Sequence, residues 1–350
     1  MTTDRRPAHP RHGPHHPTTH TPPRRPGSLR RTSSIDMLRP GGVDGELILS
    51  GRARDLLTGP DGRATVVAEA AVHARVDYAG HFALTEIRTT PELPGAQDLL
   101  GASVSAGFRS RVGRALPEER ERATLTHLLL DDLPGAALVS GYAVGAGNER
   151  ISKRDTGPYA LQQADICSGW RSDGTMLLEI GRTGTMPTVQ GPLAPVLEPD
   201  DDPWSWHHTG PLPAYGMRRR RRLDLIDGRP LALDVFYRDT HMSPDGVETV
   251  IHDYAVDGRI DPATLEILAL KAEPRALPWT ECPAAAAGAG RLVGRTVDGL
   301  RRWVRAELTG TSTCTHLNDA LRSVEDVDTL ARILASSTST STATAAGTDT

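Results

Sequence analysis

The feature that most constrains this chain is a motif that occurs twice with the same internal spacing. Arg54-Asp55 precedes Pro60-Asp61-Gly62, and Arg238-Asp239 precedes Pro244-Asp245-Gly246. In each case Pro-Asp-Gly is a turn signal, and it separates two runs in which apolar residues recur at strand spacing. We therefore interpret the chain as an internal duplication.

The segments around the two motifs predict the same order of elements. In the first half, residues 46–57, 64–76 and 81–88 are expected to form strands that are followed by helices. The segment LLGASVSAGFRSRVGRAL at 99–116 aligns with LVGRTVDGLRRWVRAEL at 292–308, with one residue inserted in the first segment. The sequence thus predicts an α+β fold of two related domains, each a small antiparallel sheet covered by helices on one face.

We place a degenerate first copy of the domain at residues 28–145 and the second copy at residues 215–334. Residues 146–214 are rich in Pro and Gly and form a linker with a helical segment. The termini, 1–27 and 335–350, offer little apolar surface to bury, and we expect both to be disordered tails.

Composition and charge exclude several classes of function. The formal net charge is −4, which gives no general attraction to nucleic acid or to an anionic membrane. No apolar run approaches the roughly 18 residues of a transmembrane helix, and the N-terminus lacks an apolar signal core. The three cysteines are far apart and do not make a disulfide framework. We expect a cytoplasmic protein with neither a nucleic-acid nor a membrane partner, whose oligomeric state the sequence leaves open.

A duplication provides an internal control, because positions shared by the copies serve the fold and positions that differ report what one copy does alone. His241 stands opposite Leu57, and Glu248 stands opposite Ala64. The side chains able to bind metal that occur only in the second copy are His241, Glu248, Cys282 and Cys314, whereas His316 has a counterpart in His127.

Both cysteines of this set stand where helices are expected to begin. Cys314 lies two residues before His316 at the start of an amphipathic helix, for which Thr315 is the predicted N-cap. Cys282 directly precedes Pro283, a residue suited to the first helical position. The positive end of a helix dipole favours thiolate over thiol, so both sulfurs are expected to be good ligands.

The sequence therefore predicts a metal site in the second copy. A set of two cysteines with imidazole and carboxylate suits zinc or iron, which accept sulfur, nitrogen and oxygen together. The predicted ligands are Cys282, Cys314, His316, Glu248 and His241. A thiol catalytic site without metal and a pair of inert buried cysteines are the alternatives.

The linker adds features that the domains lack. Cys167 is expected to be a core residue. Residues 204–208, Trp-Ser-Trp-His-His, either line a pocket for an apolar substrate or pack the linker onto the domains. The basic run at 218–222 lies on an alternating strand, which favours a bound anion such as a carboxylate or phosphate over nucleic acid.

The segments GRARDLLT, IHDYAVDG, LPWTECPAA and TCTHLNDALRS resemble the bacterial family known as domain of unknown function 2889, over nearly all of residues 28–332. This resemblance implies no activity. Residues 246–332 are also similar in plan to iron–sulfur cluster scaffold proteins of the sulfur-acceptor and NifU-like fold. That similarity implies roles as scaffold ligands for Cys282, Cys314 and Glu248. The first cysteine of the scaffold has no counterpart here, which favours a retained mononuclear metal over a cluster.

Two functions follow from a metal site. One is a metal-dependent lyase or hydrolase of a small organic acid or ester, in which His241 or Glu248 moves protons. The other is a scaffold or carrier that holds a metal or an iron–sulfur cluster without catalysis. A deep pocket between the two copies would indicate the enzyme, and an accessible site without a pocket would indicate the carrier. A purely structural role is the third interpretation.

Overall fold

The structure is a computed structural model that describes residues 13–42, 45–78, 81–147, 162–184 and 186–345, with side chains described as far as residue 337. The predicted tail segments 1–12 and 346–350 and the linker segment 148–161 lie outside the described residues.

The strands form two consecutive antiparallel four-stranded meanders. The first comprises β1 (Ser28–Leu38), β2 (Leu47–Thr58), β3 (Ala64–Asp77) and β4 (Ala83–Thr90). The second comprises β5 (Met217–Ile226), β6 (Leu231–Met242), β7 (Glu248–Ile260) and β8 (Ile267–Ala276). Strands β2 to β4 agree closely with the predicted segments, whereas β1 was not predicted as a strand.

The repeated Pro-Asp-Gly motif forms the same turn in both meanders. Gly62 donates its N–H to the carbonyl of Gly59 at 2.9 Å, and Gly246 donates to the carbonyl of Ser243 at 3.1 Å. Both turn glycines have positive φ, +80° and +77°, which glycine adopts without steric penalty. The turn chemistry therefore accounts for the β2–β3 and β6–β7 hairpins.

The two meanders join in one sheet of strand order β4-β3-β2-β1-β5-β6-β7-β8. Strand β1 pairs antiparallel with β5, from Ser28 opposite Ile226 to Met37 opposite Met217. The two halves therefore share one sheet, and the prediction of a separate sheet for each half is wrong. An edge strand exposes unpaired N–H and C=O groups, and pairing β1 with β5 satisfies the inner edges of both meanders at once.

The α-helices pack on one face of this sheet, as the sequence predicts. They are α1 (Phe108–Ala115), α2 (Pro117–Glu121), α3 (Leu125–Val139), α4 (Gly141–Gly147), α5 (Thr175–Thr183), α6 (Leu300–Glu307), α7 (Thr315–Arg322) and α8 (Val327–Ala345). Helix α3 lies on β1 to β3, α7 contacts β6, and α8 contacts β1 and β5. Helix α8 continues through residues 335–345, where the sequence predicts a disordered tail.

Extended segments cover the opposite face. Residues 13–27 cross this face, where the Thr18 N–H donates to Asp253 and the Trp206 Nε1–H of the linker donates to Thr21 Oγ1, at 3.0 and 2.8 Å. The prediction of a disordered tail is thus wrong for residues 13–27. Their composition offers few apolar side chains, but the sheet face provides polar partners that composition does not reveal.

The helix-covered face carries a chain of buried ion pairs at the centre of the sheet. Arg31 binds Asp55 across β1 and β2, and Arg219 binds Asp239 across β5 and β6. Further pairs link the two halves through Arg109, Arg301, Arg322, Asp131, Asp319 and Asp326. Because arginines and aspartates balance, the interior holds ionised groups without a large uncompensated charge.

Candidate metal centre

The side chains that meet most closely as potential ligands are Asp239, His252 and His316. Asp239 on β6 is paired with His252 on β7, and His316 is the second residue of α7, which packs on β6. One carboxylate oxygen and one nitrogen from each ring lie within 4.8 Å of one another. Three elements of the second half thus place their side chains at a single point.

The distances within this triad suit a metal ion. His252 Nδ1 lies 3.3 Å and His316 Nε2 lies 3.8 Å from Asp239 Oδ2. Around a tetrahedral zinc with bonds of about 2.1 Å, neighbouring ligand atoms are about 3.4 Å apart. Both nitrogens are buried, and neither has a hydrogen-bond partner among the described residues. The two ring nitrogens therefore converge on one carboxylate oxygen without forming a hydrogen bond.

The two imidazole rings stack with centroids 3.6 Å apart and 19° between their planes. Burial lowers the pKa of His316 to about 3, and the neighbouring His252 acts in the same direction while Asp239 opposes it. The His316 ring is therefore neutral at physiological pH. A neutral imidazole keeps the nitrogen lone pair that a metal requires.

The carboxylate of Asp239 stays ionised in this setting. Burial by itself would raise its pKa, but Arg219, followed by the two histidines, holds that pKa well below the usual range. Arg219 Nε donates to Oδ1 and the Tyr237 hydroxyl donates to Oδ2, both at 2.9 Å. These contacts fix the orientation of the carboxylate, as partners of metal ligands commonly do.

The other nitrogen of His316 has its own neighbours. Nδ1 lies 3.7 Å from Cys314 Sγ and 3.4 Å from Thr315 Oγ1. A proton on Nδ1 donated to either atom leaves the lone pair on Nε2, directed at Asp239. Cys314 and Thr315 thus favour the tautomer that a metal at Nε2 would need.

The three cysteines are buried near one another and beside Tyr254. Burial raises the pKa of Cys282, the neighbouring thiols of Cys314 and Cys167 act in the same direction, and the Tyr254 hydroxyl adjoins Cys314. A backbone hydrogen bond holds the linker beside Cys314, because the Ser168 N–H donates to the Thr313 carbonyl at 2.8 Å. Cys167 is therefore a core residue, as predicted, and it lies close to both predicted ligands.

Both cysteines stand at helix starts, as predicted, but the prediction that their sulfurs are thiolates is wrong. Cys314, rather than Thr315, is the N-cap of α7, and Cys282 begins a 3-10 helix. Burial raises the pKa of both thiols, in Cys282 well above the ordinary value. Desolvation therefore outweighs the helix dipole and keeps sulfur protonated without a metal. A metal ion shared by Cys282 and Cys314 stays a prediction.

Glu248 does not join the triad, although it lies only four residues before His252. A β-bulge separates the pairs Asp239–His252 and Thr240–Val250, so the β7 residues before the bulge occupy the opposite face from the one that a regular strand would give them. Glu248 accepts a hydrogen bond from Thr240 Oγ1 on the face away from the helices. The structure therefore does not place this carboxylate among the predicted ligands.

His241 is also separate from the triad. Its ring lies edge-on to Tyr142 of α4 with centroids 5.1 Å apart, and burial lowers its pKa to about 4. Its Nε2 is buried without a hydrogen-bond partner in the described part of the chain. The predicted proton-transfer roles of His241 and Glu248 stay predictions, and neither residue lies at the triad.

Sequence reasoning missed Asp239 and His252 as ligands. Asp239 was recognised as part of the repeated motif, but its match to Asp55 assigned it to the fold. His252 stands opposite Ala68 at the same offset that places Glu248 opposite Ala64. The comparison of the two copies therefore contained the signal for His252.

Two cavities in the structure lie away from the triad. One, of about 500 Å³, adjoins α6 beside Trp303, and the other, of about 600 Å³, lies beneath residues 198–209. Neither is lined by Asp239, His252 or His316. These cavities therefore give no support to the deep catalytic pocket that the enzyme interpretation requires.

Comparisons with known proteins find a similarity for part of the chain. A family model described as "Protein of unknown function (DUF2889)" matches residues 217–329, the second meander with its helices. The predicted resemblance over nearly the whole chain is thus found for this part only. No curated protein and no solved structure matches, and the similarity to iron–sulfur scaffold proteins has no support. No helix in the described ranges is long and apolar enough to cross a membrane.

Proposed function

We propose that this protein binds one zinc or iron(II) ion through Asp239, His252 and His316. The observation that carries the proposal is the approach of two buried, unpaired imidazole nitrogens to one ionised carboxylate oxygen, at 3.3 and 3.8 Å. Buried polar atoms without partners are unfavourable, and a metal ion would satisfy both nitrogens at once.

The chemistry of the donor set supports zinc or iron(II). Two imidazoles and one carboxylate bind these ions and leave at least one coordination position for water or a small ligand. Asp239 is fully buried, and the two histidine side chains are nearly so. Burial of the ligands favours a retained ion over one that is passed to a partner.

We propose metal binding and do not extend the proposal to catalysis. A lyase or hydrolase would need room for its substrate at the open coordination position, and neither of the two cavities described above is lined by the triad. The competing interpretation is a metal-free cluster in which Asp239 neutralises Arg219 and the histidines merely pack beside it.

The experiment measures the metal content of the purified full-length chain by mass spectrometry, followed by calorimetric titration with Zn²⁺ and, anaerobically, Fe²⁺. We expect about one ion per chain for the wild type and loss of binding in His252→Ala and His316→Ala. His241→Ala is the matched control, because it removes a buried imidazole outside the triad. Retention of metal by His252→Ala, or a wild type that binds no stoichiometric ion, would refute the proposal.

We also infer that the two meanders descend from one duplicated unit, so that residues 28–145 are a diverged relative of the matched region. The support is a shared arrangement: Arg31–Asp55 and Arg219–Asp239 are ion pairs at corresponding places, each beside a bulge in the next strand pair. A superposition of the meanders in which these pairs fail to coincide would contradict the inference.

A further inference from the structure

The cavity of about 600 Å³ lies on the sheet face away from the helices and the triad. Arg54 of β2 lines it, together with Trp204, Trp206 and His207 of the linker. Its volume falls within the range of small-molecule sites. Trp204 is 43% exposed, so a large aromatic surface is open to a ligand at its edge.

Burial lowers the pKa of Arg54, and the carboxylates of Glu69, opposite it on β3, and of Asp202 act against that effect without forming an ion pair. Its Nη2 donates to the Trp204 carbonyl at 2.7 Å, and its buried Nε has no hydrogen-bond partner in the described ranges. No ion pair of Arg54 occurs among the described residues, whereas nearby Arg24 and Arg220 pair with Asp202 and Glu198. Arg54 is therefore available to an anion.

The charged neighbours that act most strongly on His207 are arginines. Burial lowers the pKa of His207 to about 3, and Arg220, followed by Arg54, adds to this effect. Both nitrogens of His207 already contact Ser34 and Thr32, at 2.8 and 2.9 Å. The His207 imidazole is thus neutral and held in place by two hydrogen-bond contacts. Arg54 is therefore the group in this cavity that would bind an anion.

The tryptophans give the cavity flat walls. The Arg54 guanidinium carbon lies 5.8 Å from the Trp204 ring centroid, and that of Arg220 lies 5.3 Å from the Trp206 ring centroid. A planar ring placed against Trp204 would therefore bring an attached acid group toward Arg54. Aromatic stacking of this kind adds to the affinity that area burial alone provides.

We propose that this cavity binds a small aromatic carboxylate, with its acid group on Arg54 and its ring against Trp204. A guanidinium binds carboxylate through charge-assisted hydrogen bonds, and Arg54 is an arginine that lines the cavity. The carboxylates of Glu198 and Asp202 on the same cavity disfavour a multiply charged phosphate ligand. The site is independent of the proposed metal centre.

The test is calorimetric titration of the full-length protein with 4-hydroxycinnamate and with its methyl ester, which keeps the ring and loses the charge. We expect the acid to bind at least tenfold more tightly than the ester. Arg54→Gln should weaken binding of the acid at least tenfold and leave the ester unchanged. Arg63→Gln, at an exposed site in the β2–β3 turn, is the matched control and should bind as the wild type does.

Trp204→Leu tests the aromatic wall at a partly exposed position, with folding checked by thermal unfolding. It should weaken 4-hydroxycinnamate and leave hexanoate, an aliphatic carboxylate, unaffected. If Arg54→Gln does not fold, the acid–ester pair and Trp204→Leu decide the question. The proposal is overturned if the acid does not bind, if acid and ester bind alike, if hexanoate matches the aromatic acid, or if ATP binds more tightly than either.

Discussion

His252 and His316 stack face to face, 3.6 Å between ring centroids, although one belongs to strand β7 and the other to the first turn of helix α7. The stack joins the sheet to the helical layer at the point where Asp239 meets both rings. The geometry of the candidate metal centre therefore depends on how firmly each ring is held.

Cys314 is expected to orient His316 rather than to bind the ion. Cys314→Ala removes the sulfur 3.7 Å from His316 Nδ1 and should weaken zinc binding by about tenfold, the lower end of the range for partners of metal ligands. Competition with a chromogenic chelator measures the change, and Cys167→Ala is the control expected to bind normally. An intense thiolate-to-cobalt absorption band in the cobalt-loaded protein would show instead that sulfur binds the metal.

Gly135 allows α3 to approach the buried ion pairs. A Cβ at this position would overlap Asp319 and Arg219, so Gly135→Ala should destabilise the fold by about 1–3 kcal/mol despite the better helix propensity of alanine. Gly181 of α5 has no atom within 4 Å of such a Cβ, and Gly181→Ala should stabilise by about 0.5–1 kcal/mol. Urea unfolding of both variants measures the contrast, and equal effects would contradict this account.

Arg219 neutralises two buried aspartates, Asp239 and Asp319, each at 2.9 Å. Arg219→Leu leaves both without this partner and should lower the free energy of unfolding by about 3–5 kcal/mol. Arg332, whose side chain is 72% exposed, pairs with Asp328 within α8, and Arg332→Leu should change stability by less than about 1 kcal/mol. Chemical denaturation at pH 7 gives both values. A loss below 1 kcal/mol for Arg219→Leu would show that the ion-pair chain is not stabilising.

His207 should make stability depend on pH between about 3 and 6.5. Its pKa is about 3 in the folded protein, because burial and neighbouring arginines disfavour the cation, and about 6.5 in an unfolded chain. The unfolded chain therefore binds more protons in this window, and stability falls as pH falls. The loss between pH 7 and pH 5 is about 2 kcal/mol for this residue.

Denaturation of His207→Gln at both pH values measures this contribution, since glutamine can still contact Ser34 and Thr32. The difference between pH 7 and pH 5 should shrink by about 2 kcal/mol relative to the wild type. His208, the exposed neighbour of His207, provides the control. His208→Gln should leave the difference in stability between pH 7 and pH 5 as large as in the wild type. If the stability of His207→Gln depends on pH as strongly as that of the wild type, His207 is not the source of the pH dependence.

The sequence by itself determined the local elements. Alternating apolar residues and the Pro-Asp-Gly turns placed β2 to β4 and the matching hairpin of the second half, because strand periodicity and turn chemistry act over a few residues. Comparison of the halves also directed attention to the second one, where all three residues of the candidate metal centre lie. Cys314 and His316 were correctly located at the start of a helix, since capping is likewise local.

Tertiary structure decided which of these residues meet. The single sheet depends on β1 pairing with β5, a contact between strands far apart in the chain that no local pattern specifies. One extra residue in the bulge beside Asp239 turns Glu248 away and leaves His252 on the helical face. Burial then reversed the expected ionisation of Cys314, because desolvation depends on everything packed around a thiol, whereas the helix dipole can be inferred from sequence.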